Sequence, residues 1–272
     1  MSDSKDLRAI AQPAHEPFFW ARLYGRRLSW PVTRLALKTP LSANAISVLS
    51  IVVGAGGGAC FAARSVPWNI AGVLLLLLSW VLDCVDGEVA RARGQTSLDG
   101  EFIDACRHQI VCPALFGGLA LGAFAGHPDG LWLVALGLSS TVLSSRFVGG
   151  MIDQMVLAGV RRAIRRGELP EREAGATAEA RRGALARLRR WITPLFVDFN
   201  ILHLLLAAVV VDAAGVRFGA GGGITLLDAV HVGYGVAFPV VKLGSMVLAW
   251  REGVSGRVED VLRGRSDEAP HH

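Results

Sequence analysis

Charge is scarce in this chain: Asp, Glu, Lys and Arg make up 19% of its 272 residues, below the roughly 25% of ordinary soluble domains. Cysteine is scarce too. Cys60, Cys84, Cys106 and Cys112 lie in apolar segments, with no CxxC pair and no His at zinc-ligand spacing. They read as small buried hydrophobes, which excludes a disulfide framework or a metal knuckle. Strict apolar–polar alternation is missing, which argues against a β-barrel, and no internal repeat emerges. Met1 to Pro17 is polar and the first long apolar run begins only near Asn44, so no signal peptide is expected. The charge that is present is segregated. Mean hydropathy is +0.42, long stretches carry no charge, and Arg is packed into short runs. Disorder, collagen and a water-soluble α/β enzyme all fit poorly, and an integral membrane protein is expected.

A helix that crosses a hydrocarbon core needs roughly 17–25 apolar residues. Six segments qualify: 44–62, 67–90, 101–125, 130–157, 194–214 and 222–250. The fold expected is therefore all-α, with six transmembrane helices in a domain spanning 44–250. A cytoplasmic arm (1–43), a cytoplasmic loop (158–193) and a cytoplasmic tail (251–272) complete it. Of the 28 Lys and Arg, 23 fall in 1–43, 91–100, 158–193 and 251–272, and only Arg64 and Arg217 in the alternate loops. Positive charge marks the cytoplasmic side, so both termini are expected there, in a cell inner membrane. The net charge of +5 is a topology signal with headgroup contact, and no nucleic-acid partner is expected. The stretch Phe18 to Leu28 mixes aromatic and basic residues at helical spacing, which suits an amphipathic helix lying in the interface.

Charges inside a bilayer cost several kcal/mol each unless paired or hydrated, so they mark function by default. Here they are dense. Asp83, Asp86, Glu88 and Arg91 close the second span, and Asp99, Glu101, Asp104, Arg107 and His108 open the third. Asp83, Asp86, Gly87 and Ala90 follow i, i+3, i+4, i+7 on one helix face, and Gly100, Asp104 and His108 follow i, i+4, i+8 on one face of the next. Three carboxylates and an imidazole then face each other at one depth. Carboxylates so placed repel unless a cation lies between them, and all-oxygen ligation favours Mg²⁺, Mn²⁺ or Ca²⁺. Two such ions can clamp a pyrophosphate. Gly87, Ala90 and Gly100 leave gaps where a nucleotide can approach the backbone; the alternative is close helix packing alone.

Asp83, Asp86-Gly87, Ala90-Arg91, Gly100, Asp104 and position 108 together resemble the signature of the CDP-alcohol phosphotransferases, D-x2-D-G-x2-A-R-x8-G-x3-D-x3-D. Every fixed position but the last is present at the right spacing, and the last is His108. The six-span layout and the interfacial helix are similar to the family over the whole chain. The resemblance implies transfer of a phosphoryl-alcohol group, often phosphatidyl, from a CDP-linked donor to an acceptor hydroxyl, with release of CMP. It implies Mg²⁺ (or Mn²⁺), as two ions, held by Asp83, Asp86 and Asp104. Gly87, Ala90, Arg91 and Gly100 would lie near the nucleotide, and Asp104 and His108 would be catalytic. His108 would complete the second metal site or act as base on the acceptor. A homodimer is implied as well.

Arg146 and Lys242 fall toward the cytoplasmic ends of the fourth and sixth spans. They suit an acceptor or donor phosphate, or else snorkel or pair with the aspartates. Asp228 and His231 read as hydrated boundary residues, and Asp198, Asn200 and His203 as at most minor acceptor contacts. Two rivals stand beside the transferase: an intramembrane Mg²⁺-dependent prenyltransferase, and a catalytically altered or inactive lipid- or nucleotide-binding protein.

Overall fold

A computed structural model describes residues 2–12, 20–126, 157, 198–218 and 223–252. The elements are α1 (Ser2–Ala11), a π-helical turn (Ala21–Gly25) running into α2 (Arg26–Ala36), α3 (Ala43–Cys60), α4 (Val66–Ala92), α5 (Leu98–Gly126), α6 (Asp198–Ala213) and α7 (Leu226–Glu252). The chain divides into two compact units. One takes Met1–Leu136 and Leu202–Val230; the other takes Gly137–Ile201 and His231–His271. In the second unit the described residues are mainly the body of α7.

Three helical stretches are long and apolar enough to cross a membrane: Ala43–Ala63, Val66–Ala92 and Phe102–Gly126. They correspond to the first three expected spans. Ile201–Ala213 and Leu226–Ala237 are shorter apolar helices, so six crossings are not established among the described residues. The expected fourth span, 130–157, lies almost wholly outside them, as does the loop 158–193.

Local chemistry sets the helix starts. Ser42 is extended (φ −74°, ψ 156°) and its side chain accepts from Ala45 N, capping α3. Ser65 precedes α4, with Pro67 in its first turn. Inside the first unit the helices bury small and polar residues, among them Ser47, Ser50, Gly54, Gly57, Gly58 and Ser79. Large apolar chains such as Val52, Leu74, Leu78 and Leu121 face outward, the pattern of helices that pack backbone to backbone in lipid. Its tightest point is Gly118, where a Cβ would overlap the Gly58 carbonyl oxygen. Pro113 lies inside α5 and removes one donor from its ladder.

The N-terminal arm is longer than the Phe18–Leu28 helix expected. Residues 13–19 lie outside the description, but the helix runs on through Pro31 to Ala36. Its outward residues are Arg22, Leu23, Arg27, Leu28, Arg34 and Leu35, while Ser29, Thr33 and Ala36 turn inward. That division suits an interfacial helix resting on protein. Gly25 lies against the Trp80 indole, where a Cβ would come within 2.6 Å of the ring.

At the end of the unit away from the aspartates, Asp228 is not the hydrated boundary residue expected. Arg64 donates to both its oxygens at 2.9 Å and also to the Gly122 carbonyl at 3.0 Å. Those bonds hold Arg64 in the left-handed region (φ 46°), which a side chain rarely adopts. Thr225 N donates to Asp228 and Asp228 N to the Thr225 hydroxyl, at 3.0 and 3.1 Å, a reciprocal box that starts α7. Asp212 accepts from Leu226 N and Leu227 N. His231 is 1% exposed, so it too is no hydrated residue. Breaking a largely buried, two-pronged pair leaves a charge behind. Asp228→Ala is therefore expected to destabilise the protein by about 3 kcal/mol, read as a lower melting temperature in detergent. Asp228→Asn, which can keep the box, should lose less; equal melting of Asp228→Ala and the parent would refute this reading.

Candidate active site

The last turns of α4 and the first turns of α5 bring the expected carboxylates together. Arg107 Nε stands 3.2 Å from Asp83 Oδ1, with both side chains mostly buried. Asp83 also has Asp104 and His108 as charged neighbours. Asp86 lies in the field of both Asp83 and Asp104, and the Ser47 hydroxyl donates to its Oδ2 at 2.5 Å. Of the expected site residues, Asp83, Asp86, Asp104 and His108 thus form one electrostatic cluster. Gly100 lies beside Asn44, whose Oδ1 is 3.6 Å from a Cβ placed there.

Two carboxylates set beside each other repel unless a proton or a cation lies between them. The Asp83–Asp104 pair therefore fits the chemistry of a hard divalent cation, as does the all-oxygen donor set. As the side chains stand, no three His, Cys, Asp or Glu groups among the described residues gather tightly enough to hold a metal. The Asp83 carboxylate faces Arg107 as well.

Arg91 takes a different place from a free nucleotide ligand. Its Nε donates to the Ala11 carbonyl at 2.6 Å, and its guanidinium covers Gly87, with Nη1 3.2 Å from a Cβ placed there. Ala90 is half-buried on the same turn. Arg93, given no role beforehand, donates to the carbonyls of Leu41, Thr39 and Ala36 at 2.5, 2.8 and 3.3 Å. It closes the end of α2 and shapes the lead-in to α3.

Glu88 stands apart from the cluster it was grouped with. It is 0% exposed and faces the N-terminal arm. Its Oε1 accepts from Ser29 Oγ (2.7 Å), Gln12 Nε2 (3.1 Å) and Arg26 Nη1 (3.2 Å), and its Oε2 from Thr33 Oγ1 (2.5 Å). The polar stripe Arg26, Ser29, Thr33, at i, i+3, i+7 on an otherwise lipid-facing helix, is the sequence signal for this contact.

His203 belongs to another group. It stacks on Trp20 with centroids 3.9 Å apart, and its Nε2 lies 2.6 Å from the Tyr24 hydroxyl. Burial pushes the Tyr24 phenol above its ordinary value, so it keeps its proton. His203 thereby anchors the arm to α6. Arg146 lies outside the described residues, as do the side chains of Lys242, Asp99, Glu101, Asp198 and Asn200.

Residues 41–163 match the family model for CDP-alcohol phosphatidyltransferase. A bifunctional IPC transferase and DIPP synthase from Rubrobacter xylanophilus is 39% identical over 87 residues, 32% of this chain and 19% of that protein. A phosphatidylinositol phosphate synthase from Streptomyces avermitilis is 29% identical over 120 residues, 44% of this chain and 48% of the relative. An archaetidylinositol phosphate synthase from Methanothermobacter thermautotrophicus is 29% identical over 112 residues, 41% of this chain and 56% of the relative. The matches thus span between 19% and 56% of these relatives' own lengths. The matched segment holds α3, α4 and α5 with every member of the aspartate cluster. Residues 41–163 are thus similar to the CDP-alcohol phosphatidyltransferase domain over a little under half of the chain.

Proposed function

We propose that this protein is a membrane transferase that moves a phosphoryl-alcohol group, of phosphatidyl type, from a CDP-linked donor to an acceptor hydroxyl. The observation that carries the reading is the convergence of Asp83, Asp86 and Asp104 where α4 meets α5, inside the segment that matches the family. Two of the relatives are by name a phosphatidylinositol phosphate synthase and an archaetidylinositol phosphate synthase, so an inositol phosphate is the first acceptor to test. The site opens to the cytoplasm, both termini lie on that side, and the protein works as a homodimer.

Asp83, Asp86 and Asp104 would hold the divalent cations, which leaves the His108 ring free to act as a base. Bound there, the cations supply charge neutralisation to the donor's diphosphate. Ser47 fixes one Asp86 oxygen and Arg107 fixes Asp83, so neither carboxylate has to be ordered during turnover. Gly100 leaves backbone open to the nucleotide, and Gly87 leaves room for the Arg91 guanidinium beside it. His108 takes the proton of the acceptor hydroxyl as its oxygen bonds to phosphorus. The bond from that phosphorus to the CMP oxygen breaks, and CMP leaves with the electron pair. Arg146 and Lys242 serve the phosphate of the acceptor.

The test is CMP release by membranes bearing the protein. CDP-diacylglycerol or soluble CDP-alcohols are supplied with inositol phosphate, glycerol phosphate or serine. CMP is expected only when donor and acceptor are both present, with inositol phosphate the best acceptor. Pyrophosphate in place of CMP would indicate prenyl transfer, and the absence of both would leave a binding scaffold.

A further inference from the structure

We propose that Glu88 is a positioning residue for the donor site: it locks the N-terminal helical arm onto α4, and the locked arm sets Arg91. The inference rests on the transferase reading for its kinetic part and on geometry alone for the lock. Glu88 lies at a position that the family signature leaves free, yet its side chain is 0% exposed. A carboxylate out of water is stable only while donors fill its lone pairs. Among the described residues, every donor to Glu88 comes from the arm: Arg26, Ser29 and Thr33 on α2, and Gln12 just beyond α1. Gln12 also donates to the Arg26 carbonyl at 2.9 Å, tying the end of α1 to the start of α2. The docked arm is thus the state in which this charge is satisfied.

Arg91 follows one turn after Glu88 and is held by the same arm. Its Nε donates to the Ala11 carbonyl at 2.6 Å, while Arg26, Glu88 and Asp86 all act on its charge. Freed from Ala11 and Glu88, the Arg91 guanidinium would have no fixed place above Gly87. The aspartates are held separately, by Ser47 and Arg107. Loss of the lock should therefore weaken donor binding and leave the chemical step nearly intact.

The experiment uses the full chain in membranes. Ala36 is 8% exposed on the inner side of α2, so Ala36→Cys places a thiol under the docked arm. Its labelling by a charged maleimide is followed by mass on the peptide that carries it. Adding Glu88→Ala should speed labelling at least tenfold, while Glu88→Gln, which keeps one acceptor oxygen, should speed it less. Equal labelling with and without Glu88→Ala overturns the lock. In turnover, Glu88→Ala should raise the donor KM about tenfold with kcat within threefold, and Arg91→Ala should do likewise. The double variant should be no worse than Arg91→Ala, because both act through one contact. Additive effects, or a fall in kcat without a rise in KM, overturn the link to Arg91. If the parent protein releases no CMP, the transferase reading fails, and the labelling still decides the lock. Should Glu88→Ala fail to fold, Ser29→Ala with Thr33→Val removes two donors and must move labelling and KM in the same direction.

Discussion

Asp83→Asn and Asp104→Asn should each abolish CMP release, to below about a thousandth of the parent rate, a barrier increase of about 4 kcal/mol. The substitution keeps size and shape and removes the negative charge. At Asp104 it takes away one of the two carboxyl groups that meet at the α4–α5 junction. At Asp83 it also removes the anion that Arg107 faces at 3.2 Å. A neutral amide is a far weaker ligand for a hard cation than a carboxylate. Chelation of the parent enzyme should have the same effect and be reversed by Mg²⁺ or Mn²⁺. Donor binding, measured by calorimetry, should fail in both variants and in chelator while folded yield is kept. Full activity in chelator, or in either variant, would end the metal reading.

The second large effect is expected at His108, where the chain departs from the family signature. If its neutral ring accepts the acceptor's proton, His108→Ala should lose roughly 10²–10⁴-fold in kcat, with metal and donor binding largely retained. The parent rate should rise with pH, because only the neutral ring accepts a proton; an unperturbed imidazole titrates near about 6.5. His108→Asp restores the signature residue and should transfer measurably, with a flatter rise above neutral pH. Unchanged CMP release in His108→Ala would move the base to another group, with Asp99 and Glu101 the next to replace.

The first three membrane helices were legible because composition and length alone define them. The expected 44–62, 67–90 and 101–125 lie within a few residues of Ala43–Ala63, Val66–Ala92 and Leu98–Gly126. The largest offset has a local cause. Hydropathy stops at the polar Asp99-Gly100-Glu101 run, whereas the helix starts at its cap, where Gly100 N donates to the Ser97 hydroxyl at 3.2 Å. The aspartate faces were legible because helical spacing carries them. What spacing could not carry was partner choice across the chain. Glu88 has the same local character as Asp86, yet it serves the arm and not the site. Arg64 and Asp228 are 164 residues apart, and nothing near either one announces the other. Ser47 looked like any small residue in a span until α3 placed it against Asp86.

The contact between the Gly58 carbonyl and Gly118 is one of a row along α3 and α5. A Cβ at Gly54 would crowd Val111, one at Gly58 the Leu115 backbone, and one at Gly122 the Phe61 carbonyl. With a close approach at each turn from Val111 to Gly122, the two helices form a rail with no single pivot. Arg64, bonded to the Gly122 carbonyl and packed on Gly126, closes one end of it. Asp104 rides on the other end, about 21 Å along the helix from Gly118 at 1.5 Å per residue. Its place beside α3 is therefore set at the glycines, far from the reacting phosphorus.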